Sequence, residues 1–229
     1  MTSKTINYIT SSLEERKRKE NTLHGRDLVM IINPLPDHVN VDSVLRRIES
    51  YVPSALTQEI DAIYIGEFEI LQQREIQALY YHGTIYVTNE QDDENDLLDD
   101  LVHEIAHAAE SLLKNEIYGD GAIEKEFQNK RLKLLDIFHE VGYDVDMKSM
   151  LKSEYDPDFD NFLYWEVGYE RLDYLINGLF ISPYSVTSLR EYWAKGFEAY
   201  ALGDKVELKE VSPVLYNKLE IVYSNLEGA

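Results

Sequence analysis

Residues 99–110 read Asp99-Asp100-Leu101-Val102-His103-Glu104-Ile105-Ala106-His107-Ala108-Ala109-Glu110. They hold His-Glu-x-x-His inside a run whose apolar residues recur at helical spacing, from Leu97, Leu98, Leu101 and Val102 through Ile105, Ala108 and Ala109 to Leu112 and Leu113. On a helix, His103 and His107 stand one turn apart on one face, so two imidazole nitrogens can bind a single Zn²⁺ while Glu104 projects beside them toward a metal-bound water. The width of the apolar surface predicts a helix of about four to five turns, buried on much of its circumference, with its histidines in a protected cleft. Isolated helical histidines are mostly solvated or core residues, so the rest of the chain must support this chemistry.

Composition narrows the field. With 229 residues the chain is long enough for a substantial core, and the expectation is a single domain over 1–229 with two lobes, 1–117 and 118–229. Lys and Arg total 22 against 43 Asp and Glu, a formal charge of -21, which repels phosphate backbones and anionic membranes. Nucleic acid and membrane are therefore not expected as partners. There is no cysteine, which excludes disulfides, thiol catalysis and Cys-based zinc sites and leaves His, Asp and Glu as ligands. Met1 to Glu20 shows no apolar core of signal-peptide length, and no run reaches the roughly 18 apolar residues of a membrane span. The expected location is cytoplasmic or phage-associated.

Before the motif the chain reads mainly as strands. Ser11-x-x-Glu14 resembles a capping box that opens an exposed helix to about Asn21. Asp27 to Ile32 reads as a buried strand running into Asn33-Pro34-Leu35-Pro36, and Val41, Val44, Leu45 and Ile48 mark a helix over 41–50 that Pro53 stops. Asp61 to Gly66 and Gly83 to Thr88 read as two more strands, so a small mixed sheet is expected. The acidic run Gln91 to Asp96 suits the N-terminus of the motif helix, where carboxylates satisfy free N–H groups, and it lacks the Gly and terminal Glu of a calcium loop. After the motif helices dominate: Ala122 to Glu140 closed by Gly142, Arg171 to Ile181 as helix then extended chain, Leu189 to Ala201 ending at Gly203, and a surface helix from Pro213 to Ser224. The segment 153–169, crowded with acids and aromatics, resists assignment.

A zinc site needs a third protein ligand with one position left for water. The metzincin extension is absent, since Glu110 and Leu113 stand where Gly and His would be required. The third ligand is then a carboxylate or a distant His, and physical criteria leave Glu166, Glu170, Asp173, Glu191 and Glu198 open. His24, His38, His82 and His139 have no ligand spacing and read as structural or exposed.

The stretch Ser182-Pro183-Tyr184-Ser185-Val186-Thr187-Ser188-Leu189-Arg190-Glu191-Tyr192-Trp193-Ala194-Lys195-Gly196-Phe197-Glu198 resembles the second signature of the anthrax lethal factor-like peptidases, a gluzincin group that includes the Pro-Pro endopeptidases. In that family a Tyr lies seven residues before a Glu that begins an aromatic-aromatic-Ala helix. Tyr184, Glu191 and Tyr192-Trp193-Ala194 repeat this pattern. The resemblance covers the motif helix, this segment and, more loosely, Gly83 to Thr88, about half of the chain. It implies Glu191 as third zinc ligand and Tyr184 as the hydroxyl that assists at the oxyanion. Taken alone, Ser188-x-x-Glu191 is a capping box and Tyr184 one of 17 tyrosines. Lys195 departs from the family pattern, which has an acidic residue there that supports a zinc histidine.

The resemblance also implies an α+β, zincin-like two-lobed domain, with a small mixed β-sheet and helices in the N-terminal lobe, a mainly helical C-terminal lobe and the active-site helix between them. The expected activity is a zinc metalloendopeptidase holding one Zn²⁺ per chain, with His103, His107 and Glu191 as ligands, Glu104 as general base toward the zinc-activated water, and peptide or protein as substrate. In similar peptidases the interval between Gly83–Thr88 and the motif separates a substrate-binding edge strand from the zinc helix, so this strand is expected to have a free edge. Glu110, on the face of the two histidines, can hold a ring N–H but reads more simply as a salt-bridge partner. The alternative is a catalytically weak or inactive zinc- or peptide-binding module on the same fold, for instance a phage structural or interaction protein.

Overall fold

Alternating burial marks two of the strands. The computed structural model describes residues 20–203 and 205–227, and the helix expected from Ser11 lies outside the described residues. The fold is α+β, with helices and one five-stranded mixed sheet. The strands are β1 (Glu20–Leu23), β2 (Arg26–Ile31), β3 (Ala62–Ile65), β4 (Ala78–Tyr81) and β5 (Thr84–Val87), in spatial order β1-β2-β3-β5-β4. In β3 and β5 every second side chain is buried, Ile63 with Ile65 and Ile85 with Val87, which is the period of a sheet with one face on the core. On the opposite face Tyr64 stacks on Tyr86 at 5.8 Å.

Strands β2, β3 and β5 are parallel, and the antiparallel edges β1 and β4 are joined to their neighbours by His24-Gly25 and His82-Gly83. All four turn residues have positive φ, 51° and 72° in one turn and 46° and 79° in the other. A two-residue hairpin turn of the primed type requires this. Neither edge strand nor the short helix α2 (Glu69–Arg74) follows from the sequence reading, whereas β2, β3 and β5 lie where it puts them. The parallel crossover from β2 to β3 runs through α1 (Val41–Tyr51), capped by Asn40, whose side chain accepts the Ser43 N–H at 3.1 Å. Val41, Val44, Leu45 and Ile48 are its buried residues, as their spacing predicts.

Helix α3 (Glu94–Leu112) contains the motif. Asp93 caps it: Oδ1 accepts the N–H groups of Asn95 at 2.6 Å and Asp96 at 3.1 Å, and these donors hold its carboxyl below the usual carboxylate range. Glu94 ties the start of α3 to the start of α1, accepting from Ser43 Oγ at 2.9 Å and from the Asn40 N–H at 3.3 Å. The acidic run is thus a capping and docking structure.

Two compact units divide the chain, residues 1–108 and 109–229, and the division falls inside α3. The second unit holds α4 (Lys114–Tyr118), α5 (Ala122–Glu140), α6 (Met147–Leu151), α7 (Pro157–Asn161), a π-helix over Phe162–Val167, α8 (Tyr169–Leu175), a 3-10 turn over Tyr184–Val186, α9 (Leu189–Leu202), α10 (Lys205–Val211) and α11 (Pro213–Glu227). Its core includes Phe127, Phe138, Tyr192, Trp193 and Phe197, all fully buried. Glu126 of α5 caps α11, accepting the N–H groups of Val214 at 2.9 Å and Leu215 at 3.0 Å together with the Tyr192 hydroxyl at 2.9 Å. Helices α9 and α11 cross closely at Gly196, where an added Cβ would meet Leu215 Cδ2 at 2.2 Å.

Two buried cations on α5 donate to the ends of other helices. Lys130 donates to the Val211 carbonyl and Ser212 Oγ, both at 2.7 Å, and burial pulls its amine down to about 8. Arg131 donates to the carbonyls of Lys152 at 2.6 Å and Ser149 at 2.9 Å. One expectation is corrected: residues after Leu175 form turns rather than extended chain. The segment 153–169, which the sequence leaves unassigned, contains α7 and the π-helix. Helix α11 lies at the surface as expected, with Ile221 exposed, and it buries Leu215, Leu219, Val222 and Tyr223 on its other face. No described helix is long and apolar enough to cross a membrane.

Candidate metal centre

The α-helical repeat brings His103 and His107 together, with ring centroids 4.9 Å apart and ring planes at 89°. Leu101, Val102, Ile105, Ala106 and Ala108 are buried around them, and His107 is itself only 4 % exposed. Such burial fixes the side of the helix on which the imidazoles lie.

Glu191 lies in the first turn of α9, and the N-cap Ser188 accepts its N–H through Oγ at 3.1 Å. Ser188 thus caps the helix as the sequence suggests. His103, His107 and Glu191 each offer one ligand atom, and these atoms lie within 4.8 Å of one another. This group could hold a metal ion. Two imidazoles and a carboxylate suit zinc, and the chain supplies no thiolate. Of the five carboxylates that the sequence leaves open, Glu191 joins the histidines, Glu198 pairs with Lys195 at 2.7 Å, and Glu166, Glu170 and Asp173 are exposed.

Glu104 is 6 % exposed, and its Oε2 accepts the Tyr80 N–H at 2.5 Å. Tyr80 belongs to β4, whose other side pairs with β5. This overturns the expectation of a free edge on Gly83–Thr88, since β5 lies between β3 and β4. The edge is β4, brought against Glu104 because the His82-Gly83 turn folds Ala78–Tyr81 back along β5.

Asp100, one turn before His103 and Glu104, accepts from Gln91 Nε2 at 3.0 Å. Burial pushes its carboxyl up to about 6, the Gln91 bond opposes that rise, and the charges of Asp96 and Glu104 add to it. Tyr184 opens the 3-10 turn before α9. Burial first, then the charges of Glu191 and Asp160, drive its hydroxyl far above the usual phenol range, so it stays a proton donor at physiological pH.

Glu110 is a salt-bridge partner, as the sequence suggests, and it also accepts a hydroxyl that the sequence does not point to. Its Oε1 accepts the Tyr118 hydroxyl at 2.7 Å, and its Oε2 meets Arg190 Nε at 3.3 Å. Arg190 adjoins Glu191, and the charge of Glu191 reaches Tyr118. A half-buried phenol and a carboxylate thus brace the guanidinium next to Glu191. The position of Glu110 three residues after His107 was the available signal, and nothing in the spacing marks Tyr118. Comparison with protein-family models, curated proteins and solved structures gives no match.

Proposed function

We propose that this chain is a zinc-dependent endopeptidase of the anthrax lethal factor-like, gluzincin kind, built on a zincin-like two-lobed plan. The observation that carries the proposal is the meeting of His103 and His107 with Glu191, far away in sequence, at a spacing one ion can bridge. The Tyr184–Glu191 signature supports it independently, since the sequence singles out the same carboxylate.

When bound, zinc would supply Lewis acidity to a water and to the scissile carbonyl. Glu104 takes a proton from the attacking water and returns it to the leaving amine, acting first as base and then as acid. The Tyr184 hydroxyl, kept protonated by its surroundings, donates to the oxygen on which negative charge develops. Strand β4 offers its outer edge to an extended peptide, with main-chain hydrogen bonds providing alignment.

One feature favours a second reading, a metal- or peptide-binding module without turnover: the Tyr80 N–H already occupies one oxygen of Glu104. Incubation with a diverse peptide library, with and without chelator, separates the two. Chelator-sensitive cleavage is the expected result, and stoichiometric zinc with no cleavage of any sequence leaves only the binding module. Purified protein without stoichiometric metal would sink the peptidase and the metal-binding module alike.

A further inference from the structure

Residues 153–173 contain seven carboxylates against one cation, Arg171, whose guanidinium lies over the Tyr143 ring at 5.2 Å. The same segment exposes large aromatic rings. Tyr155 is 53 %, Tyr164 52 % and Trp165 76 % exposed, although such rings are the side chains a core most profits from burying. They form a connected set. Asp160 accepts the Tyr155 hydroxyl on Oδ2 at 2.7 Å and the Tyr169 hydroxyl on Oδ1 at 3.1 Å. The Tyr169 ring meets Tyr164 edge-on at 5.7 Å, and Tyr164 meets Trp165 edge-on at 4.6 Å. The π-helix over Phe162–Val167 carries Tyr164 and Trp165 outward, and such local widenings of a helix are frequent at functional sites.

The set adjoins the proposed reaction centre within the second unit. The charge of Glu191 reaches Tyr155, and those of Asp160, Tyr169 and Tyr155 reach Tyr184. Exposed rings and a carboxylate in one patch each attract a cation, the rings through their quadrupole and the carboxylate through its full negative charge. Each Asp160 oxygen keeps a lone pair after accepting its tyrosine. The chain charge of -21 favours a basic partner over an acidic one.

We propose that Tyr155, Asp160, Tyr164, Trp165 and Tyr169 form a subsite for an Arg or Lys side chain of a peptide. Its role in substrate choice rests on the endopeptidase reading, whereas the binding itself does not. The two fail separately. Chelator-sensitive cleavage that ignores basic residues overturns the subsite and leaves the peptidase; binding of basic peptides without cleavage does the reverse.

The test uses full-length protein carrying Glu104→Gln and short blocked, dye-labelled peptides of alternating Gly and Arg, with Gly-Gln and Gly-Pro peptides as counterparts, at physiological ionic strength. Fluorescence anisotropy should show saturable binding of the Arg peptide alone. Unlabelled Arg peptide should quench tryptophan emission through Trp165, because Trp193 is fully buried. Trp165→Ala should weaken binding about tenfold, and Asp160→Asn should weaken it too. Tyr174→Ala, which removes a ring 81 % exposed outside the set, should leave it unchanged. Equal binding of the Gln or Pro peptide, or an Arg-peptide affinity that Trp165→Ala does not change, overturns the proposal; the latter would show only the pull of the overall charge.

Discussion

Helices α3 and α9 both carry ligands of the candidate metal centre, yet they hold them by different means. His103 and His107 sit in the middle of α3, where the helical repeat sets their spacing and buried neighbours set their direction. Glu191 sits in the first turn of α9, so its position depends on where that helix begins and what braces it. Ser188 fixes the start, and Glu110 and Tyr118 brace Arg190 next to Glu191. The histidine pair is a local property of one helix, whereas the carboxylate is a property of a cap and its tertiary partners. Perturbing the two helices should therefore give different kinds of loss.

The largest effects belong to the three candidate ligands and to Glu104. Glu104→Gln should keep stoichiometric zinc and lower peptide turnover by about a hundredfold or more, whereas His103→Ala or Glu191→Ala should lose zinc and turnover together. Elemental analysis beside a cleavage assay checks this, and full hydrolysis by the Gln variant would remove Glu104 from the mechanism. Asp100 gives the next effect. Its folded carboxyl titrates at about 6 against an ordinary 3.8, so between those values the folded chain binds more protons than the unfolded one. Stability from this group is complete below about pH 4 and is lost as pH rises to about 6, to the extent of about 3 kcal/mol. Denaturant unfolding of metal-free protein should therefore show Asp100→Asn gaining on the wild type across that window. A gap that stays constant with pH would mean that Asp100 titrates normally.

The same contrast explains what the sequence discloses. Helices α1, α3 and α5 and strands β3 and β5 are legible because burial repeats along each of them, as in Val41, Val44, Leu45 and Ile48, whereas β2 is legible as a short apolar run around the buried Leu28 and Val29. Strands β1 and β4 are not, because their pairing depends on His-Gly turns whose positive φ at histidine is an uncommon choice. Missing β4 placed the free edge on β5. At the metal centre the histidines and Glu104 follow from four residues' spacing. Glu191 came only through a family resemblance, since Glu198 and Asp173 have equal chemistry and the fold alone decides which carboxylate reaches the imidazoles. Tyr118 and Arg190 act through contacts with Glu110 that no periodicity encodes.

At the residues that place Glu191, as opposed to Glu191 itself, the losses should be smaller and should fall on affinity. Tyr118→Phe deletes the hydroxyl that donates to Glu110 at 2.7 Å while keeping the half-buried ring. Zinc affinity should drop about tenfold, the lower end for an indirect partner of a metal site, with the unfolding midpoint of metal-free protein nearly unchanged. A large fall in that midpoint would make Tyr118 a packing residue instead.

Ser188→Ala should give the smallest effect and the sharpest test of how Glu191 is placed. The cap bond from the Glu191 N–H to Ser188 Oγ satisfies a donor that the helix itself cannot, and its loss should cost about 1 kcal/mol of stability. If the start of α9 fixes Glu191, zinc affinity should fall with it, by less than Tyr118→Phe produces, and Ser188→Thr should restore both because its hydroxyl can accept the same bond. His103 and His107, held by their own helix, should then still bind the ion with Glu191 less well aimed. An affinity untouched by Ser188→Ala would mean that the contacts of the Glu191 carboxylate place it without help from the cap, and the distinction between the two helices would narrow to the brace around Glu110.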